Sequence, residues 1–189
     1  EKKLGKVDIL LIHWPAREFI SRWKAFETLY EEGRVKAIGV SNFYPHVLAN
    51  FCETVAIRPM VNQIEMHPYF TQEPALKVME EYQIVPEAWA PLGGGRHNPF
   101  ENEMVKEIAD VHGKTVGQIV LRWNVQRGVV VIPKSVHKNR MEQNMDIWDF
   151  TLSDADMEEI AGLDIGHSEI VNHFDPSFVK MLHSMKTHE

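Results

Sequence analysis

Apolar residues gather in short continuous runs along the chain, and stretches of helical spacing separate these runs. Val7 to Trp14 (VDILLIHW) is almost unbroken, as in a strand covered on both faces, and Pro15 closes it. Trp23, Phe26, Leu29 and Tyr30 then recur at helical spacing as far as Gly33, where a helix end favours a left-handed residue. Val35 to Val40 reads as a second strand running into Ser41 and Asn42, and Pro45 to Val55 as a second helix. Met60 to Met66 is a third strand carrying Asn62 and Gln63. Thr71 is placed to cap a helix reaching Tyr82, with Leu76 and Met79 facing inward. Ile84 to Ala90 is a fourth strand, followed by Pro91-Leu-Gly-Gly-Gly95, too rich in glycine to be regular.

Two helical segments come next, 102–112 and 115–126, with Gly113 and Gly128 as stops. Val129 to Ile132 is the fifth strand, and Pro133, which lacks an N–H for the ladder, ends it. Helical spacing resumes at His137 and puts Arg140 and Asn144 on one face. Ser153-Asp-Ala-Asp156 is a variant capping box for a helix ending at Gly162. From His167 to Glu189 the apolar residues Ile170, Phe174, Phe178, Met181 and Leu182 are scattered, and the tail reads as a segment laid over the domain. Glu1 to Lys6 reads as the end of a helix and its exit turn.

This alternation, without hairpin signals, implies parallel strands joined by right-handed crossovers. An open doubly wound sheet and a (β/α)8 barrel both satisfy it. No GxGxxG follows a strand, as a dinucleotide-binding doubly wound sheet would require. His13, Ser41, Asn42, Gln63 and Lys134 all fall at or near the C-terminal ends of strands, the face where barrel active sites assemble. The expectation is therefore an α/β chain of the (β/α)8 TIM-barrel class, forming a single domain over residues 1–189. Yet such barrels take about 250 residues and eight βα units, and only five strands are legible here. An incomplete barrel lacking its three N-terminal units follows. Five parallel strands cannot close and would leave two apolar edges open, so the chain is expected to be a fragment of a longer protein.

Composition narrows the function classes. A content of 44% hydrophobic and 25% charged residues is ordinary for a globular domain. A net charge of −7 gives no reason to expect nucleic acid or an anionic membrane as partner. No apolar run approaches the length of a membrane span. The one cysteine, Cys52, excludes an intrachain disulfide and fits a reducing, cytoplasmic setting; it reads as a small apolar filler. The ten histidines form no HxH or HExxH set, and no metal is expected. Against this acidic background, Lys134, Lys138 and Arg140 crowd together after the fifth strand, at the start of a helix. Such a turn suits an anion, because backbone N–H groups, the helix dipole and fixed cations converge there. It equally suits a solvated basic loop, and the stretch alone leaves both open.

Leu10-Leu-Ile-His-Trp-Pro15, Glu32-Gly-Arg-Val-Lys-Ala-Ile-Gly-Val-Ser-Asn-Phe43, Val61-Asn-Gln-Ile-Glu65, Trp89-Ala-Pro-Leu92 and Ile132-Pro-Lys-Ser135 stand in order on successive strand ends. In these motifs, which span nearly the whole chain, the sequence resembles the aldo-keto reductases, specifically the bacterial branch related to diketogluconate reductases. The resemblance implies NADP(H) as cofactor, bound across a barrel mouth without a Rossmann unit, and a small carbonyl compound as substrate. Ser41, Asn42 and Gln63 match the residues that hold the nicotinamide carboxamide. Trp89 matches the aromatic, usually Tyr, that stacks on the ring, and Ala90 stands where Ser is commoner. Leu92 and the glycines after it match the loop over the pyrophosphate. Lys134, Ser135 and Arg140 match the contacts to the 2′-phosphate and its ribose, which favours the anion site. A charged hydrogen bond is worth ~1.5–3 kcal/mol, so each such contact would favour NADPH over NADH by about tenfold or more. Gln143, in place of a frequent Glu, and Asn144 match the adenine contacts, whereas His137 and Lys138 read as solvated.

His13 matches one member of the family's catalytic tetrad, the histidine that orients the substrate carbonyl, and Trp14 would line the substrate pocket. The resemblance puts the tetrad's Asp, Tyr and Lys in earlier barrel units, so this chain alone is expected to be inactive. Tyr44 has no lysine placed to lower its pKa and is a poor substitute; His67 reads as structural. The short loop Ala16 to Arg22 suggests an open pocket for small aldehydes, ketones or sugar-derived dicarbonyls. The full-length protein is expected to be a monomeric NADPH-dependent reductase. The alternative, from a different class, is a non-catalytic NADP(H)-binding subunit of the same superfamily.

Overall fold

The computed structural model describes residues 7–16 and 18–185; the helix end expected over Glu1 to Lys6 lies outside them. Five strands, β1 (Ile9–Ile12), β2 (Ala37–Ser41), β3 (Val61–Glu65), β4 (Val85–Trp89) and β5 (Val130–Val131), follow the sheet order β1-β2-β3-β4-β5. Between and after them come α1 (Phe19–Glu31), α2 (Pro45–Cys52), α3 (Glu73–Glu81), α4 (Glu103–His112), α5 (Val116–Gln126), α6 (Lys138–Met145), α7 (Asp154–Ala161) and α8 (Pro176–Ser184). The chain divides into two compact units. One comprises Glu1–Ile64, Pro74–Val85 and Val171–Glu189; the other comprises Glu65–Glu73 and Pro86–Ile170.

In the first unit β1, β2 and β3 pair in parallel, with Ile12 opposite Val40 and Ser41 opposite Gln63. Gly39 sits in the middle of this sheet because nothing larger fits. A Cβ there would lie 2.5 Å from the Val61 carbonyl and 2.7 Å from Leu11. The core is aromatic: Trp23 is fully buried, packs edge-on against Phe51 at 5.1 Å, and donates its indole N–H to the Ile57 carbonyl at 2.9 Å. That bond satisfies the one polar atom of the largest buried side chain.

In the second unit β4 and β5 pair in parallel, with Glu87 opposite Val130 and Ala88 opposite Val131. Val105, Ile108, Ile119, Val120, Trp123, Leu152 and Ile160 bring α4, α5 and α7 onto one core. Two local signals act as the sequence suggests. Ser153 and Asp156 exchange both capping-box bonds, and Gly113 ends α4 in the left-handed conformation at φ 63°. Thr115 and Gln118 form a second box, at a helix start that the pattern placed without its cap.

Three expectations change. Thr71 does not cap α3. Its hydroxyl donates to Asp164 Oδ2 at 2.6 Å, and the helix begins only at Glu73, after Gln72 at φ 60°. The supposed loop Ala16 to Arg22 is shorter than it reads, because α1 already starts at Phe19. Finally, the tail contains a regular helix, α8. Pro176 occupies its first turn, and the Asp175 carboxylate accepts the Ser177 N–H at 2.8 Å.

Candidate active site

In the first unit the parallel register brings three strand tips together. His13 follows Ile12 beside Ser41, and Ser41 faces Gln63. Asn42 turns away from the strand in the left-handed region, at φ 62°. From there its amide nitrogen donates to the His13 carbonyl at 3.0 Å and to Ser41 Oγ at 3.1 Å. The Ser41 hydroxyl in turn donates to the Gln63 carbonyl at 2.8 Å. Ser41 and Asn42 are buried while His13 is exposed. These donors are therefore spent on neighbouring strand ends. The other polar atom of the Asn42 side chain is its carbonyl oxygen, an acceptor.

Trp14 lies 5.2 Å from the His13 ring, and on its other side it meets His173 at 5.0 Å and the edge of Phe178 at 5.2 Å. Trp14, Asn42, Tyr44, His173, Phe174 and Phe178 line a cavity of about 270 Å3. A second cavity, of about 620 Å3, opens on His13, Trp14, Arg22, Phe26, Met181 and Met185. Sequence reasoning assigned no site role to Tyr44, His173, Phe174 or Phe178. Ring-bearing residues at 173, 174 and 178, in a tail that also carries Val171, Val179, Met181 and Leu182, were the available signal. Tyr44 is buried and packs on His173 and Phe174, at 4.9 and 5.4 Å between ring centres.

In the second unit β4 delivers Trp89 and Ala90 beside Ile132 and Pro133, two positions past the last paired residues of β4 and β5. Ala90 adopts φ 49° and accepts the Gly93 N–H at 2.8 Å, so the chain turns at once into the glycine loop. Leu92 packs against the unit's core, and residues from Leu92 to Glu101 line a cavity of about 450 Å3. The Glu169 carboxylate accepts the His97 backbone N–H at 2.9 Å, which holds its pKa below the ordinary carboxylate value.

Lys134 and Arg140 are exposed and have no acidic partner among the described residues. The Ser135 hydroxyl accepts the His137 N–H at 3.1 Å, just ahead of α6. That helix sets Arg140 and Asn144 one turn apart, with Gln143 and Asn144 half-buried. Lys138 instead pairs with Glu142 at 3.6 Å in solvent. Uncompensated cations at a strand-to-helix turn and a glycine loop fit a phosphorylated ligand. His67, read as structural, is buried with Nε2 3.1 Å from Glu65 Oε1. No cluster of three His, Cys, Asp or Glu able to hold a metal occurs among the described residues, and no helix there is long and apolar enough to cross a membrane.

The model of the Aldo/keto reductase family matches residues 2–165. The chain belongs to the aldo/keto reductase family. It is 45% identical over 159 residues to the 9,11-endoperoxide prostaglandin H2 reductase of Trypanosoma cruzi, covering 83% of this chain and 56% of that protein. It is 44% identical over 162 residues to the glyoxal reductase of Bacillus subtilis, covering 85% of this chain and 58% of the relative. Among solved structures, an aldo-keto reductase of Bombyx mori in complex with NADP superposes with a TM-score of 0.85. It is 31% identical and covers 95% of this chain and 64% of that one. The chain thus spans less than two thirds of the length of each. The five-stranded α/β sheet agrees with an incomplete barrel of this family.

Proposed function

We propose that this chain is the cofactor-gripping part of an NADPH-dependent carbonyl reductase acting on small aldehydes, ketones or sugar-derived dicarbonyls. One observation carries the reading. The Asn42 amide ties the carboxamide-binding tip to the backbone of His13, so one hydrogen bond links the nicotinamide contact to the main chain that carries the carbonyl-orienting imidazole. The bound cofactor supplies the hydride. The chain's own residues bind and orient. His13 donates a hydrogen bond to the substrate carbonyl oxygen, and Trp14, with the tail rings of His173 and Phe178, excludes water beside it. Ser41, Asn42 and Gln63 fix the carboxamide, and Trp89 stacks on the ring. Ala90, Leu92 and the glycines follow the pyrophosphate. Lys134, Ser135 and Arg140 take the 2′-phosphate, and Gln143 and Asn144 take the adenine. The activities for which the relatives are named, a glyoxal reductase among them, support a small carbonyl substrate.

On this reading the family's catalytic Asp, Tyr and Lys, and with them the proton, are supplied from outside these residues, and the chain alone binds without turning over. The intact protein is proposed to be a cytoplasmic monomer. Two preparations test the proposal, the intact protein and this chain by itself, each assayed with glyoxal and NADPH by nicotinamide absorbance. Turnover by the intact protein alone is the expected result. Equal turnover by the chain would overturn the division of labour, and none by either would overturn the activity.

A further inference from the structure

Three successive residues of the second unit, Ser168, Glu169 and Ile170, touch the glycine loop or anchor what touches it. Ser168 Oγ donates to Glu65 Oε2 at 2.6 Å, and Glu65 is fully buried, with its other oxygen 3.1 Å from His67 Nε2. Next along the chain, Glu169 holds His97 at two points. It accepts the backbone N–H at 2.9 Å and lies 3.0 Å from Nδ1 of the ring, with only 14% of its side chain exposed. Ile170 Cδ1 stands 3.1 Å from where a Cβ on Gly94 would be. At Gly95 an added Cβ would come within 2.6 Å of Glu169 Cβ and 2.7 Å of its Oε2, so glycine is what lets the two segments close on each other. The His97 ring also lies 5.1 Å from Tyr69, whose hydroxyl accepts the Asn102 amide at 3.2 Å.

A run of three glycines loses more conformational freedom on ordering than any other sequence of its length. Something outside the loop must offset that loss. We propose that Ser168-Glu169-Ile170 is a brace that holds the loop from Leu92 to Asn98 closed, and that Glu169 is the positioning residue setting how fast the loop opens to release cofactor. The inference rests on the reading that this loop covers the pyrophosphate of NADP(H). Glu169 touches none of the reacting atoms, so its loss alters binding kinetics and leaves hydride transfer alone.

The test is stopped-flow release of NADPH from the intact protein, in wild type, Glu169→Gln and Ser168→Ala. Glutamine keeps the shape of the side chain and removes the charge from the hold on His97, whereas alanine at 168 removes the hydroxyl that anchors the brace to Glu65 and leaves Glu169 itself intact. Losing a charge-assisted bond of this kind corresponds to about a tenfold faster release. Both variants are expected to release NADPH about tenfold faster, with single-turnover hydride transfer at the wild-type rate. A merely structural role would lower the melting midpoint and leave release unchanged. Wild-type or slower release in both variants, with NADPH bound normally by wild type, overturns the brace alone. Failure of wild type to bind NADPH overturns the brace together with the cofactor reading beneath it.

Discussion

The side-chain amide of Asn42 donates to the backbone carbonyl of His13 at 3.0 Å, from a residue whose own backbone sits in the left-handed region at φ 62°. Two neighbouring strands are therefore pinned at their tips by one side chain, and a non-glycine residue is held in a conformation that L-residues seldom adopt.

Replacing Asn42 separates those two effects. Asn42→Gly loses the bonds to His13 and Ser41 but relieves the backbone, and should cost about 1–2 kcal/mol. Asn42→Ala loses the same bonds and keeps the left-handed strain, adding about 1 kcal/mol more. Urea unfolding of the intact protein measures both. An alanine variant as stable as the glycine variant would mean the backbone conformation is not enforced.

Much of this was legible in the sequence, for reasons that differ along the chain. The strand at Val7 to Trp14 announces itself because it is apolar on both faces, and the box at Ser153 because capping chemistry is local. Thr71 failed because its hydroxyl found a partner, Asp164, far along the chain, and no local pattern encodes such a contact. The helix α8 was legible too: Phe178, Met181, Leu182 and Met185 recur at helical spacing after the Asp175-Pro176 start, a pattern hidden only by the irregular stretch that precedes it. The tips His13, Ser41, Asn42 and Gln63 were readable as a set once their strands were placed, because parallel register alone decides which ends coincide. The tail rings His173, Phe174 and Phe178 were not, because which strand end a tail packs on is a tertiary outcome.

Cys52 gives a pH dependence with a definite sign. It is 3% exposed, and burial pushes its thiol from 9.0 up to about 11. A raised folded-state pKa means the neutral thiol stabilises the fold fully below 9.0, and that contribution is lost as pH rises through about 11. Stability should therefore decline over that alkaline window, and Cys52→Ala should flatten the decline. In the native protein at pH near neutrality, a thiol reagent should label Cys52 only at the rate of unfolding. Immediate labelling would show an accessible thiolate.

Trp23 fills the centre of the first unit and spends its indole N–H on Ile57. Trp23→Phe should cost about 1–3 kcal/mol, chiefly by leaving that part-buried carbonyl without its donor. Trp23→Ala should cost about 3–5 kcal/mol by opening a cavity as well. Denaturation midpoints with an unchanged slope would register both, and a Trp23→Phe variant as stable as wild type would contradict a role for the hydrogen bond.

The cations after β5 bear on the central claim most directly, because Lys134 and Arg140 are exposed, have no acidic partner among the described residues, and flank a turn into a helix. The measurement is the ratio of NADPH to NADH dissociation constants for the intact protein, by fluorescence quenching, in wild type and in Lys134→Ala and Arg140→Ala. Wild type should prefer NADPH. Each substitution should weaken NADPH by about tenfold while leaving NADH where it was, since NADH carries no 2′-phosphate. Equal weakening of both cofactors, or no preference in wild type, would contradict the assignment.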